Sequence, residues 1–216
     1  MPSLTDIRIG GLARLSSCDW PGELVATIFC QGCPWACRYC HNPHLIPAQG
    51  EGQIAWRDVL DFIGSRKGLL DGVVFSGGEP TLQPGLRQAI ETVRAMGFRI
   101  GLHTGGPYPG RLAEVLPLLD WVGFDIKAPR NSYDRITGAR HSGNKAMRSL
   151  KLLLDSGVPY DLRTTVHPDL LSLEELKMLA EEVKAAGGKD HRIQAFRPDG
   201  CADEELVHSP SLSRPG

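Results

Sequence analysis

Four cysteines fall within eleven residues, in the run Cys30-Gln31-Gly32-Cys33-Pro34-Trp35-Ala36-Cys37-Arg38-Tyr39-Cys40-His41-Asn42-Pro43, while Cys18 and Cys201 stand alone. In a reducing compartment such a cluster reads as metal-binding or catalytic rather than as a disulfide framework. Cys33, Cys37 and Cys40 can ligate three irons of a cubane [4Fe–4S] cluster and leave the fourth iron without a protein ligand. An open coordination position separates a catalytic metal centre from a structural one. Three other chemistries compete for these residues. Cys37 through His41 has the form of a c-type haem attachment, which belongs to exported chains and gives Cys33 no role. Zinc could take three cysteines and His41, but adjacent Cys40 and His41 would have to turn onto one ion, against the usual spacing of paired ligands. A thioredoxin-like pair of Cys37 and Cys40 again leaves Cys33 idle.

Two further runs have the make-up of a ligand site. In Ser76-Gly77-Gly78-Glu79-Pro80 the glycines remove Cβ and let backbone approach, while carbonyls and the Glu79 carboxylate can accept from an ammonium. An ordinary glycine-rich turn ending at Pro80 has the same composition. In Asp125-Ile126-Lys127, period-two alternation puts the two charges on one face, as an internal ion pair or as functional groups. His44, His141, His167, His191 and His208 pair with no other ligand type and read as ordinary surface or core histidines.

The elements that must position these residues alternate along the chain. Residues 24–30, 72–75, 99–103, 121–126, 160–166 and 192–196 are predicted strands; 56–66, 86–96, 111–119, 144–156 and 173–186 are predicted helices. In the last helix Leu173, Leu176, Leu179, Ala180 and Val183 follow helical spacing. Gly97, Gly157 and Gly187 sit just past helices, where a left-handed cap residue belongs. Alternation of this kind makes a parallel sheet with helices outside, and six units fall short of the eight that close a barrel. The expected fold is α/β, an open, partial (β/α)6 barrel over residues 1–197, with chemistry at the C-terminal ends of its strands. Both the cysteine loop and the Gly-Gly-Glu-Pro run follow predicted strands. Residues 198–216 are polar, with Pro210 and Pro215 and no helical period, and read as a loose tail whose first part could cover the sheet edge.

The chain has 216 residues, 41% hydrophobic and 23% charged, with a formal net charge of −1. That balance gives no electrostatic footprint for nucleic acid. No apolar run approaches a membrane span, and the N-terminal stretch lacks the apolar core of a signal peptide, so a cytoplasmic protein is expected.

The pattern C-x3-C-x2-C, with aromatic Tyr39 just before the last cysteine, resembles the signature of the radical S-adenosylmethionine superfamily. The Gly-Gly-Glu-Pro run strengthens the resemblance. It implies an open or closed (β/α) barrel with the cluster loop after its first strand. It further implies a cluster whose open iron binds the amino and carboxylate groups of S-adenosylmethionine, and one-electron cleavage to a 5′-deoxyadenosyl radical. By that resemblance Gly77, Gly78 and Glu79 hold the methionyl amino group, and Tyr39 meets the adenine. Asp125 and Lys127 resemble the Asp-x-Lys with which glycyl-radical enzyme activases contact the cofactor. Arg163 falls where those activases keep an arginine near its carboxylate, a task that suits a guanidinium; a salt bridge to Asp161, on the same strand face, is the alternative. There are two departures. His103-Thr104-Gly105-Gly106 stands where pyruvate formate-lyase activases read Asp-Thr-Asn-Gly, which removes a carboxylate from their monovalent cation site. Arg197 stands where those enzymes have histidine.

Within the superfamily, Asp19-Trp20-Pro21-Gly22, Phe29 through Cys33 and Cys40 through Pro43 resemble the activating proteins of anaerobic ribonucleoside-triphosphate reductase, over about Leu12 to Pro198. This implies hydrogen abstraction from a glycine of a partner glycyl-radical enzyme, with anaerobic ribonucleotide reductase as that partner and a flavodoxin- or ferredoxin-type electron donor. After Cys40 only Cys201 remains, which leaves no second cluster domain within these residues. A small-molecule enzyme similar to 7-carboxy-7-deazaguanine synthase, and a non-catalytic zinc or iron–sulfur module, are the alternatives.

Overall fold

A computed structural model describes residues 7–50 and 53–209. Among the described residues seven strands form one sheet in sequential order: β1 (Ile9–Ser16), β2 (Val25–Cys30), β3 (Gly72–Gly77), β4 (Arg99–Thr104), β5 (Trp121–Asp125), β6 (Tyr160–Val166) and β7 (Arg192–Ala195). Strands β2 to β7 are parallel neighbours, joined through α1 (Trp56–Gly64), α2 (Leu86–Ala95), α3 (Pro109–Val115), the pair α4 (Tyr133–Thr137) and α5 (Ser142–Ser156), and α6 (Leu173–Ala185). The sheet does not close: among the described residues β7 pairs only with β6, and β1 only with β2. The open six-unit architecture is as expected, and β1 is an addition to it. This strand runs antiparallel to β2, with register shifts between Ile9 and Gly11 and between Ala13 and Ser16. Its two adjacent glycines and broken alternation hide it from a propensity reading; pairing with β2 supplies the stability its own residues lack.

Period-two alternation sorts the strands into two faces. Ile28, Phe75, Leu102, Phe124 and Leu162 face outward and share one buried cluster with Ile63, Val93, Leu112, Leu150 and Leu179 of the helices. The inner face begins with a small second cluster of Trp20, Val25, Val74 and Trp121. Trp20 arrives from the β1–β2 loop and stacks on Trp121, ring centroids 5.5 Å apart. A Cβ at Gly101 would lie 2.9 Å from the Trp20 ring, and one at Gly72 would lie 3.2 Å away. The missing side chains on β3 and β4 therefore make the slot that this indole fills, and the loop plugs the N-terminal floor of the barrel. Above that floor the inner face turns polar.

Helix α6 opens with a capping box in which Ser172 Oγ accepts from Glu175 N at 3.2 Å and Glu175 Oε2 accepts from Ser172 N at 2.9 Å. Its buried stripe, Leu179 and Val183, is narrower than the spacing suggests: Leu173, at the first position, is 76% exposed, and Ala180 is exposed as well. Gly97, Gly157 and Gly187 adopt positive φ, as their cap positions require.

The first part of the tail packs against the core, as the sequence left open, and does not hang loose. After β7 the chain folds back, forms the short helix α7 (Glu204–His208) and buries Leu206 in the main core. Leu206 and Val207, adjacent in a polar run, carry no helical period, so only the tertiary contact reveals the packing. The end of that tail, residues 210–216 with Pro210 and Pro215, lies outside the described residues, as do residues 1–6 and 51–52.

Candidate active site

A cleft of ≈ 290 Å³ opens at the C-terminal ends of the parallel strands. Cys33, Cys37, Cys40, Tyr39, Gly77, Gly78, Glu79, Asp125, Lys127 and Arg163 all line it. Every residue singled out in the sequence as a ligand thus reaches one site. Cys30 does not: it lies at the end of β2 on the outer face, fully buried in the main core. Cys18 and Cys201 are also absent from the lining.

The cysteine loop and the glycine-rich turn are fastened to each other. Gly78 N donates to Cys30 O at 2.9 Å and Glu79 N to Gly32 O at 2.9 Å. Gly77 has φ +112, and a Cβ there would sit 2.3 Å from Cys30 N; one at Gly78 would sit 2.4 Å from Gly32 O. Glycine is needed here so that the two loops can touch, a reason distinct from close approach to a ligand. Gln31 holds the loop's far side, its Nε2 donating to His44 O at 3.0 Å and Pro47 O at 2.7 Å.

Glu79 is buried and mostly engaged. Its Oε1 accepts from Thr81 N (3.0 Å), Thr81 Oγ1 (2.5 Å) and Thr104 Oγ1 (2.8 Å), and its Oε2 accepts from Gly105 N at 3.1 Å. Burial raises its pKa against the pull of these hydrogen bonds. The carboxylate ties the turn after β3 to the turn after β4, with acceptor capacity left on Oε2.

Asp125 lies between two cations: Arg163 Nε donates to Oδ1 at 2.5 Å and Lys127 Nζ to Oδ2 at 3.5 Å. Burial would raise the Asp125 pKa, but Arg163 and Lys127 outweigh it and hold the carboxyl well below the usual range. Burial opposes the charge on Lys127 as well, and Asp125 more than restores it. Arg163 therefore pairs across to β5; Asp161 instead accepts from Trp121 Nε1 at 3.2 Å. Lys127 Nζ stands 5.6 Å from the Tyr39 ring centroid.

His103 hydrogen-bonds through both ring nitrogens. Asp19 O, 2.7 Å from Nε2, can only accept, so Nε2 carries the proton and Nδ1 accepts from Ser76 Oγ at 3.1 Å. Burial, with the Arg163 charge second, lowers its pKa to about 4. The ring is neutral at pH 7 and supplies no negative charge to the cleft. Asp19, Thr165 and Gln194 also line the cleft. Strand parity could have found Thr165, two residues past Arg163; nothing local could have brought Asp19 up from the barrel floor.

The donor set suits an iron–sulfur centre. Burial, with Glu79 second, pushes the Cys33 thiol up to about 12, and burial also raises Cys37. Metal-free, these thiols are neutral, and binding iron would displace their protons. Among the described residues no three His, Cys, Asp or Glu side chains converge closely enough to hold a single ion. His41, the remaining donor for zinc, instead gives its Nε2 proton to Arg197 O at 3.0 Å. Tyr39 Oη is buried with no hydrogen-bond partner, a polar atom that a ligand in the cleft could satisfy.

The model of the Radical SAM superfamily matches residues 27–169, which span the cysteine loop, the glycine-rich turn and the Asp125–Lys127–Arg163 group. The chain belongs to the radical SAM superfamily. The cofactors of that family, a [4Fe–4S] cluster and S-adenosylmethionine, are those of this radical SAM protein, and the neutral thiols and the unpartnered Tyr39 hydroxyl fit them. A protein of Methanocaldococcus jannaschii named for glycyl-radical enzyme activation is 30% identical over 94% of this chain and 85% of its own. The pyruvate formate-lyase-activating enzyme of Clostridium pasteurianum is 32% identical over 82% of this chain and 76% of its own. Among solved structures, anSMEcpe with bound AdoMet superposes with a TM-score of 0.61 at 18% identity, over 77% of this chain and 49% of that one, which is a likeness of fold. No helix among the described residues is long and apolar enough to cross a membrane.

Proposed function

We propose that this radical SAM enzyme activates a glycyl-radical enzyme, with an anaerobic ribonucleotide reductase as the partner. The observation that carries the reading is the meeting of Cys33, Cys37 and Cys40 with the Asp125–Lys127–Arg163 group in one cleft of an unclosed sheet. Its support from relatives is the activating enzymes named above, matched over most of their length. When bound, the cluster and S-adenosylmethionine would supply one-electron cleavage of the sulfonium S–C5′ bond to methionine and a 5′-deoxyadenosyl radical, the electron coming from a flavodoxin- or ferredoxin-type donor.

The chain's own residues have separable tasks in this reading. Cys33, Cys37 and Cys40 would hold the cluster as thiolates, giving up their protons to do so. The Gly77–Gly78 carbonyls and the free capacity on Glu79 Oε2 accept from the methionyl ammonium. Arg163 and Lys127 together exceed the charge of Asp125 by one, which leaves a net positive wall suited to a carboxylate. Tyr39 offers its ring and its unpartnered hydroxyl to the adenosyl portion. The unclosed sheet leaves a side by which a partner's glycine loop can bring its Cα within van der Waals reach of the radical carbon.

The test mixes reduced enzyme, S-adenosylmethionine and candidate reductase without oxygen and records the electron paramagnetic resonance spectrum. A doublet that vanishes when the reductase glycine is changed to Ala is the expected result. Cofactor cleavage without a protein radical, but with turnover of a pterin-like small molecule, would transfer the chain to the small-molecule branch.

A further inference from the structure

The two halves of the cysteine loop are held by different means. The Cys33 side is bonded into the fold: Gly32 N donates to Leu45 O at 2.8 Å, Cys33 N to Ile46 O at 3.0 Å, and Gly32 O accepts from Glu79 N. On the Cys37–His41 side, Ala36 N reaches Thr137 O at 2.8 Å and Cys40 N closes a turn onto Cys37 O at 3.0 Å. Tyr39 is buried in the main core, and among the described residues the side-chain hydrogen bonds of Arg38 and His41 go to the segment that follows β7.

That segment is anchored at both ends in the core. Phe196 is buried, its N donates to Val166 O at 2.9 Å, and its ring meets His167 edge-on at 5.2 Å. Leu206 is buried, and its carbonyl accepts from His167 Nε2 at 3.2 Å. Between the anchors the segment faces the loop. The Arg38 guanidinium donates to Asp203 through Nε at 2.6 Å and Nη2 at 3.2 Å, and to Glu205 at 2.8 Å. Cys201 Sγ donates to Arg38 O at 3.3 Å, and the His41 ring stacks on Phe196 at 5.7 Å while its Nε2 donates to Arg197 O. At Gly200 the fit is so close that a Cβ would lie 2.4 Å from His41 O.

Topology gives this arrangement its meaning. Strand β7 is one edge of the sheet, and the cysteine loop follows β2, beside the other edge. The segment after β7 therefore ties the loop beside one edge of the sheet to the opposite edge. We propose that residues 196–208 are a strap that holds the Cys37–His41 half of the cysteine loop in its metal-binding form, with Arg38 and Asp203 as positioning residues. The inference rests on the assignment of Cys33, Cys37 and Cys40 as cluster ligands. Of the two acidic partners, Asp203 matters more. Its side chain is 19% exposed and engaged in a fork, whereas Glu205 is 88% exposed and its pair is screened by water. Because Phe196 and Leu206 anchor the strap independently, loss of the pair loosens residues 38–41 without unfolding the strap.

The experiment uses charge reversal and its rescue. Arg38→Asp, Asp203→Arg and the double variant are reconstituted with iron and sulfide without oxygen, then challenged with an excess of chelator while the cluster absorbance is followed. Asp203 also caps α7 through Leu206 N, and both Asp203→Arg and the double variant lose that cap, so rescue reports on the pair alone. Each single variant should lose its cluster about fivefold faster or more, and the double variant should return to within about twofold of the unaltered chain. Hydrogen exchange on the metal-free full chain should show faster exchange at residues 38–41 in the single variants, with unchanged β3 and β5 amides. Single variants that match the unaltered chain in both measurements, or a double variant as labile as the singles, would overturn the strap. If the unaltered chain takes up no iron and sulfide, the ligand assignment fails instead, and hydrogen exchange still judges the strap.

Discussion

Glu79 offers a sharp test, because its bonding in the metal-free protein separates a cofactor contact from a structural hub. Oε1 accepts three hydrogen bonds and Oε2 accepts one, all from groups on the two turns that form the cleft wall. In Glu79→Gln one oxygen becomes an NH2 that can only donate. The better orientation puts this amide nitrogen toward Gly105 N, keeps the three bonds at Oε1, and sets two donors face to face at a buried position. One unsatisfied buried N–H costs about 1–3 kcal/mol. Glu79→Ala strands all four donors. The two threonine hydroxyls can rotate to other acceptors but the Thr81 and Gly105 amides cannot, so that variant should lose about 2–5 kcal/mol. The assay is urea unfolding of metal-free protein at pH 7, with the m value held common so that the midpoint reports stability. If Glu79→Gln shifts stability by less than about 0.5 kcal/mol, the carboxylate is not the tie between the turns and the reasoning is wrong. A residue that only touched the cofactor would give that null result.

Other outcomes follow from the same geometry. Changing Cys33, Cys37 or Cys40 to Ala should abolish iron binding by reconstituted protein, whereas Cys18→Ala, Cys30→Ala and Cys201→Ala should keep the iron; loss with Cys30→Ala and retention with Cys33→Ala would reverse the ligand assignment. His103, with its folded pKa near 4 against an ordinary 6.5, binds fewer protons folded than unfolded in that interval, so its contribution to stability is complete above pH 6.5 and lost as pH falls toward 4. The loss is on the order of 2–3 kcal/mol, and His103→Gln should flatten the stability curve over that window; an unchanged slope would count against a buried neutral imidazole. Gly101→Ala places a methyl against the Trp20 ring and should destabilise by about 1–3 kcal/mol while changing the tryptophan fluorescence of the Trp20–Trp121 stack.

That the candidate ligands would meet at one place was legible in the sequence, because their signals are local. A thiolate triad needs three cysteines on one loop, and Asp125 and Lys127 fall on one face by strand parity alone. The open parallel sheet of six units was legible too, since alternating apolar periods admit few topologies once parallel crossovers are required. What only the tertiary structure decided concerns groups that meet from distant parts of the chain. Arg163 had Asp161 as a neighbour on its own strand, but its partner is Asp125 on the next, because the parallel register sets Asp125 beside Arg163. The glycines of the Gly-Gly-Glu-Pro run read as room for a ligand; they are also the contact surface between two loops. Trp20, with glycines from β3 and β4, makes the floor of the barrel, and no period in the sequence links them. Strand β1 and the strap after β7 were invisible for the same reason. Each has little propensity of its own and is stabilised by burial against elements far away in the chain, and such free energy belongs to the folded contact rather than to any window of residues.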